Sequence, residues 1–195
     1  MKNNLLTVFI ATLIIVGSSC NQLKEVTTLS KCQFKLASIQ EIQLAGVNIQ
    51  NLTDFSQLNL QNAAKITAAV ADGRLPLSFT LNVDVKNPNI TKASLNSLDW
   101  ILIIDDIEML NGTVNQKFEV APSGGITTVP VKMEMDLKQI LKGKSGEALL
   151  NFGFNLVGAG NKPTRITLKA KPSIMIGGRT IQYPGYINIR NEFTS

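Results

Sequence analysis

One short segment, FTLNVDVK at residues 79–86, alternates strictly between apolar and polar side chains. Successive side chains of a β-strand point to opposite faces, so the alternation gives this segment one apolar and one polar face. Such two-faced strands are typical of antiparallel sheets that pack one face on a core and expose the other to water. The segment therefore predicts that the core of this chain is built on half-buried β-strands.

The three residues that follow, Asn87-Pro88-Asn89, raise the question of a functional site. Pro88 has no N–H for a sheet ladder and restrains Asn87 to extended geometry, so we expect the strand to end here. Asn89 and Thr91 can then close a turn by hydrogen bonding to their own backbone. We interpret the motif as structural, with a direct binding role as the alternative.

Several other segments predict further strands. Phe34, Leu36, Ile42 and Leu44, together with the run GVNI, indicate one or two opening strands. Later alternating or apolar runs lie at 97–104, 107–114, 117–120, 126–135, 149–157, 164–176 and 185–193. Pro130 inside one of these runs indicates an edge strand or a bulge. Seven or more short strands with Gly and Pro turns indicate a mostly β fold of the β-sandwich type.

One segment breaks the alternation. In LNLQNAAKITAAVADG, residues 58–73, small and apolar residues recur at helical spacing: Leu60, Ala63, Ala64, Thr67, Val70 and Ala71. Asn59 can cap the first turn and Gly73 can end the last. We therefore expect a single helix over residues 59–72. The segment DLKQILKGKSG, residues 136–146, can form one further helical turn or two.

The first twenty residues have the pattern of a lipoprotein signal peptide. Lys2 is the only charged residue before residue 24, and an apolar run at 5–17 precedes Ser18-Ser19-Cys20. The run is too short to cross a bilayer comfortably but suits the apolar core of a signal peptide. The small residues before Cys20 resemble a bacterial lipobox, which implies that Cys20 is acylated and begins the mature chain. An ordinary secretory signal and an uncleaved anchor are the alternatives.

These features predict three regions: a signal peptide at 1–19, a polar tether at 20–31 and one domain at 32–195. Dual acylation holds a protein on a membrane without a transmembrane helix. Asn21 stands where an Asp usually retains such lipoproteins in the inner membrane, and no acidic run follows Cys20. We therefore expect an outer-membrane lipoprotein whose domain lies on the periplasmic face.

Cys32 is the only other cysteine. If Cys20 is acylated, Cys32 is left as a single thiol in an oxidising compartment. Its place in KCQFKLASI, at the start of a predicted strand, indicates a buried structural residue and not a nucleophile. Without lipidation, a disulfide between Cys20 and Cys32 is the alternative.

Several of these blocks, taken in order, resemble the late embryogenesis abundant (LEA) type 2 family, also called the WHy domain. They are the strand that ends in Asn87-Pro88-Asn89, the hairpin around Asp105-Asp106 with Asn111-Gly112, and the blocks VPVKMEMDLKQIL and ITLKAKPSIMI. The resemblance covers roughly residues 32–190. It implies an immunoglobulin- or fibronectin type III-like sandwich without established catalytic residues, and an association with desiccation and stress tolerance. The helical segment 55–73 is an insertion relative to the compact domain of that family.

The chain contains no histidine. This removes Ser-His and Cys-His catalysis and most metal sites that use imidazole. The acidic residues Asp105, Asp106 and Glu108 could bind calcium or act as paired carboxylates. Two aspartates between two strands are also what a solvated hairpin turn contains, and their spacing is not that of a calcium loop. We therefore expect no enzyme activity, no metal and no cofactor.

The strand at 164–176 is a candidate for binding. With its aliphatic residues pointing inward, its outer face carries Arg165, Lys169 and Lys171, and Lys162 lies just before it. Removal of Lys2 with the signal peptide lowers the Lys and Arg count from 19 to 18, against 14 Asp and Glu. This charge is mild for a nucleic-acid binder, so we expect no nucleic-acid partner. The strand is either a solvated edge or a contact for anionic headgroups or acidic glycans.

Together these features predict a non-catalytic, lipid-anchored protein of the cell envelope that acts as an LEA type 2-like protective or binding module. The alternative is a periplasmic accessory protein of the outer membrane that binds a lipid or a glycan. The membrane is the expected partner through the N-terminal lipid, and an envelope protein, lipid or glycan partner is left open. A cleft beside the inserted helix would favour the alternative, and a fully packed interior the first hypothesis.

Overall fold

The computed structural model describes residues 28–50, 52, 55–140, 144–156, 162–176 and 178–193. The strands are β1 (Gln33–Leu44), β2 (Val47–Asn48), β3 (Pro76–Asn87), β4 (Ala93–Leu95), β5 (Ser97–Ile104), β6 (Ile107–Val114), β7 (Phe118–Val120), β8 (Gly125–Asp136), β9 (Thr164–Ile176), β10 (Arg179–Gln182) and β11 (Ile187–Phe193). The labelled helices are α1 (Leu60–Ala71), α2 (Leu137–Ile140) and α3 (Lys144–Leu156). A 3-10 turn covers Phe55–Gln57, and residues 28–30 are also helical. The prediction of a mostly β fold is confirmed.

The strands form two main sheets, and every pairing is antiparallel. The first sheet has the order β2-β1-β3-β8, which places Pro130 on an edge strand as predicted. In the second sheet β5 pairs with one edge of β9 and is followed outward by β6. The other edge of β9 pairs first with β10 and then with β11. Between these two strands, the Tyr183 N–H donates to the carbonyl of Pro172 on β9. The short strands β4 and β7 pair with each other as a separate two-stranded sheet, in which β4 contacts β9 and β7 contacts β8.

The core lies between the two main sheets. The strict alternation of residues 79–86 gives β3 a buried face, because Leu81, Val83 and Val85 are almost fully enclosed. The second sheet contributes Leu102 and Leu168 from its central strands in the same way. Each buried aliphatic side chain of this size contributes about 2 kcal/mol through apolar burial. The half-buried strands predicted from the alternation therefore form the core.

The predicted helix is present as α1. The side chain of Asn59 accepts a hydrogen bond of 2.8 Å from the Asn62 N–H, and Gly73 follows the helix with a φ of +82°. Both end signals act as expected for a capped helix. However, α1 has no buried residue, and Leu60 is 87% exposed. The helix lies on the surface and adds little to the core.

The predicted strand at 149–157 was wrong, and so was the expectation of one helix. Residues 149–156 belong to α3, while residue 157 lies outside the described part of the chain. The run LLNFGFNLV fits a period of two through Leu150, Phe152 and Phe154, but burial follows a helical period. Leu149 and Phe152 are buried, and the Phe152 ring contacts the Phe79 ring with centroids 5.9 Å apart. Tertiary packing therefore selects the helix, and α2 provides the further turn predicted near 136–146.

Candidate anion-binding site

The predicted basic residues of β9 lie on the outer face of the second sheet. Ile166, Leu168 and Ala170 point into the core with at most 2% exposure. Because side chains alternate along a strand, the residues between them point outward. Lys169 is half-buried on this face and Arg165 is exposed, and Lys171 follows two residues further along. The structure thus brings the three predicted basic residues onto one face.

A hollow of about 880 Å³ lies on this outer face. Its lining comes from β5, β9, β11 and the turn after β5: Ile103, Asp106, Arg165, Ile166, Thr167, Lys169, Asn188, Arg190 and Asn191. Arg190 is paired in register with Thr167, and Asn188 with Lys169, so β11 adds its polar side chains directly beside those of β9. The hollow therefore combines basic groups with side-chain amides.

The residues contributed by β11 were not among the predicted site residues. The alternation of Ile187 and Ile189 with Asn188 and Arg190 is visible in the sequence and indicates an outward polar face. What the sequence does not show is that β11 pairs with β9, because strand partners depend on the fold and not on local pattern. Arg190 therefore joins Lys169 only once the sheet is known.

The charges in the hollow are unequal. The Arg165 guanidinium lies 2.8 Å from the Asp106 carboxylate, and both side chains are more than half exposed, so this pair contributes little to stability. Within the part of the chain that the structure describes, neither Lys169 nor Arg190 forms an ion pair with a carboxylate. The hollow thus holds three cations and one carboxylate, a composition that favours an anionic ligand.

Lys171 extends the basic face towards the other end of β9. Its ammonium lies 5.6 Å from the centre of the Tyr186 ring, which is a cation–π distance. Lys162, by contrast, precedes the strand and is exposed, and the hollow does not include it. The extended face therefore runs from Asp106 at one end to Tyr186 at the other.

The acidic residues Asp105 and Asp106 form the turn between β5 and β6, as predicted. Their φ values are +47° and +64°, as in the type I′ turn that joins twisted antiparallel strands through two residues. Asp105 accepts a hydrogen bond of 2.9 Å from the Arg165 N–H, and Glu108 lies exposed on β6. Among the described residues, no three acidic or cysteine side chains are grouped to hold a metal ion.

Asn87 of the Asn-Pro-Asn motif is fully buried. Its amide nitrogen donates to the carbonyls of Thr91 and Val120 at 2.8 and 3.2 Å. Its amide oxygen accepts from the backbone N–H and the side-chain nitrogen of Asn89 at 3.0 and 2.8 Å. All four bonds lie within the fold, so Asn87 offers no free group to a ligand. Pro88 is exposed beside it and ends the strand as predicted.

Asn89 connects this motif to the start of the described chain. Its side-chain nitrogen donates to the carbonyl of Thr28 at 3.0 Å, and the hydroxyls of Thr28 and Thr91 are 3.0 Å apart. Thr28 and Leu29 are both buried. Residues 28–31 were expected to belong to a polar tether, but this part of the chain packs on the domain.

The two cysteines differ in what the structure describes. Cys32 is a buried free thiol whose Sγ donates to the Thr28 carbonyl at 3.5 Å, and burial raises its pKa. The prediction of a buried structural residue is confirmed, since the thiolate that would react is disfavoured. Cys20 lies outside the described residues. Across the described ranges, the helices are all too short or too polar to cross a membrane.

A second hollow lies beside the inserted helix and bears on the lipid-binding alternative. It has a volume of about 580 Å³ and is bordered by Ala69 and Asp72 of the α1 end and by residues of β3 and β8. Its lining combines the apolar residues Ala69, Pro76 and Met135 with four charged ones: Asp72, Arg74, Glu134 and Asp136. Acyl chains require an apolar cleft. Because four charged side chains border it, this hollow is not the wholly apolar cleft that would favour the lipid-binding alternative.

Comparison with known proteins gives only distant structural likenesses. No protein-family model matches the chain, and no curated protein sequence matches it. A crystal structure of a protein from Archaeoglobus fulgidus is 18% identical with a TM-score of 0.37, over 62% of this chain and 86% of that chain. A solution structure from Arabidopsis thaliana is 13% identical with a TM-score of 0.41, over 61% and 70%. The solution structure of a candidate LEA protein is 10% identical with a TM-score of 0.39, over 97% and 83%.

Likenesses at these TM-scores carry no argument about function. The class of protein is instead defined by its own geometry. The chain holds a mostly β domain of antiparallel sheets, with a basic hollow on the outer face of one sheet and a structural Asn-Pro-Asn motif at one end.

Proposed function

We propose that this chain is a non-catalytic binding module of the cell envelope, anchored by lipid at Cys20, whose basic hollow holds an anionic group. The carrying observation is that Lys169 and Arg190, from the neighbouring strands β9 and β11, line one hollow in which positive charge is in excess. The guanidinium of an arginine matches the geometry of a carboxylate or phosphate, and a lysine adds a point charge. The amides of Asn188 and Asn191 supply neutral hydrogen-bonding groups beside these charges.

The cell-envelope location is part of the proposal. Its support is the signal-peptide pattern before Cys20, whose acylation would anchor the mature chain to the outer membrane on the periplasmic face. The absence of histidine from the sequence supports a role without catalysis. The turn position of Asp105 and Asp106 supports the same conclusion, because these carboxylates bond to Arg165 and shape a hairpin.

A second candidate function is an LEA type 2-like protective module of the immunoglobulin or fibronectin type III kind. The observation that favours it is the use of Asn87 entirely within the fold, since a motif that only stabilises the domain suits a protein without a specific ligand. In that case the basic face of β9 is a solvated surface that discourages edge pairing. The two candidates differ in whether the hollow binds an anion.

We expect the substitutions Lys169→Gln, Lys171→Gln and Arg190→Gln, made together, to weaken binding of an anionic partner about a hundredfold. Each charge close to an anionic surface contributes on the order of 1 kcal/mol. The measurement uses the mature chain with Cys20→Ala, so that no acyl chain inserts. Binding is measured to vesicles containing phosphatidylglycerol and, separately, to polygalacturonate, because phosphate headgroups and acidic glycans present the same charge.

The matched control removes three charges elsewhere, by Lys35→Gln, Lys65→Gln and Lys132→Gln. These lysines are exposed on β1, α1 and β8, away from the hollow, so the control should bind within a fewfold of the parent. Binding of the parent should weaken from low to physiological salt as exposed charges are screened. If the parent binds neither partner at low salt, the proposal fails and the protective module is the better candidate. If both triple variants lost affinity equally, binding would depend on the net charge of the domain and not on the hollow, and the proposal would fail.

A further inference from the structure

Thr28 is the first described residue, and its place in the domain shows which end of the domain is closest to residue 20. Thr28 is held by Asn89 and Thr91 through the bonds described above, and Leu29 is buried at 2% exposure. Eight Cα–Cα steps separate Cys20 from Thr28, and a chain of that length reaches at most about 29 Å. An anchor at Cys20 therefore pulls on the end of the domain that carries the Asn-Pro-Asn motif.

The opposite end of the domain lies much further away. β3 runs from Pro76 to Asn87, and its 12 residues span about 36 Å from one end to the other. The end of α1 lies just before the start of β3 in the chain, and the α1 carbonyl of Val70 accepts a hydrogen bond of 2.8 Å from the Lys138 ammonium. The turn at Asp105 also lies at this far end, because Asp105 bonds to Arg165 at the start of β9.

The end near the anchor has a surface suited to a bilayer interface. Ile90 stands at the tip of the loop 88–92 with 90% of its surface exposed. Ile126 is 61% exposed at the same end, since it pairs in register with Lys86 one residue before Asn87. Lys31 and Lys86 are exposed around these two apolar side chains. Apolar side chains among lysines are typical of protein surfaces that enter the headgroup region of anionic membranes.

The one carboxylate discussed at this end, Glu119, is neutralised by two lysines and so does not repel an anionic membrane. Glu119 on β7 accepts from Lys92 and Lys117 at 2.9 and 2.7 Å. These two ammonium groups lower the pKa of Glu119 to about 2. The group thus carries two positive charges against one negative charge at neutral pH, which leaves a net positive contribution beside the loop 88–92.

We propose that this end is the membrane-facing end of the anchored domain, with Ile90 seated in the headgroup region of the bilayer that carries the chain's own acyl anchor. The inference rests on the proposed lipid anchor and adds an orientation to it. In this orientation β9 runs away from the membrane from Ile176 back to Thr164, because its Ser173 end lies beside β4 and the loop. The Arg165 and Arg190 part of the hollow then faces the aqueous space away from the bilayer.

The test uses the full acylated chain, purified from membranes and reconstituted in vesicles whose lipids carry bromine atoms that quench tryptophan. Two single variants each add one tryptophan to the native Trp100, which is buried. Ile90→Trp places it on the proposed contact, and Val70→Trp places it on an exposed apolar position at the far end. The added fluorescence of Ile90→Trp should be at least halved and shifted to shorter wavelength, while that of Val70→Trp should be unchanged.

Flotation of the vesicles separates the two levels of the proposal. Chains that do not float with the vesicles would overturn the lipid anchor, and the orientation with it. Chains that float, with Val70→Trp quenched or neither variant quenched, would overturn the orientation and leave the anchor intact. Urea unfolding of both variants checks that each one is folded, and Ile90→Glu offers a second measurement. In the floated chain this change should expose the loop to a protease if Ile90 contacts the bilayer, and leave cleavage unchanged if it does not.

Discussion

Replacement of Cys20 by alanine is expected to move nearly all of the protein from the membrane fraction to the soluble fraction. Acylation needs the Cys20 thiol, and the described helices do not provide a membrane span that could replace it. Two acyl chains give stable anchoring, whereas none leaves only weak contacts of the domain surface. The measurement is fractionation of cells together with labelling by a palmitate analogue, which should disappear in the variant.

The second cysteine provides the matched control for this experiment. Cys32→Ala removes a thiol of the same type, but Cys32 is buried in the domain and its Sγ donates to the Thr28 carbonyl. This variant should remain in the membrane fraction and keep its label. Membrane attachment of Cys20→Ala without any label would contradict the lipoprotein proposal and favour an uncleaved N-terminal anchor.

The second large effect is expected from Asn87→Ala, which should lower the free energy of unfolding by about 3 kcal/mol. The substitution removes four hydrogen bonds and leaves the Val120 carbonyl and the Asn89 N–H without their partner. A buried polar group that loses its partner costs about 1–3 kcal/mol, and Val120 has no exposed surface. Urea unfolding followed by circular dichroism measures the change.

Asn48→Ala is the matched control for Asn87→Ala. Asn48 is exposed on β2, and its side chain accepts one bond, from the Gln50 N–H at 3.0 Å. Its replacement should cost less than about 1 kcal/mol, because water can take the place of the lost partner. If Asn87→Ala unfolds no more readily than Asn48→Ala, the four hydrogen bonds of Asn87 do not stabilise the domain as proposed. A binding role for Asn87 would then be supported.

The features that could be predicted are those set by local pattern. The alternation of residues 79–86 marked β3 because its inner face is packed on the core along its whole length. Asp105 and Asp106 marked a hairpin because a two-residue turn demands positive φ values, which aspartate tolerates better than most residues. Asn59 and Gly73 marked the ends of α1 because capping depends on the few residues next to the helix end.

The features that were missed depend on contacts between distant segments. The helix α3 was mistaken for a strand because Leu150, Phe152 and Phe154 fit a period of two in the sequence. The helical spacing of the buried pair Leu149 and Phe152 is distinguished only once Phe79 is placed beside them. Arg190 was left out of the basic site because its neighbour on β9 is 23 positions away in sequence, at Thr167. The buried role of Asn87 was also invisible, since one of its partners, Val120, is 33 residues further along.

The surface position of α1 has a consequence for how this protein can change. A helix without a buried residue contributes little to the free energy that holds the two sheets together, so substitutions along its outer side cost little. Leu60 and Val70 can be replaced, and the length of the insertion can vary, while the sandwich keeps its packing. The segment is therefore the part of the domain where sequence can diverge fastest and where a new partner surface can arise without a loss of folding.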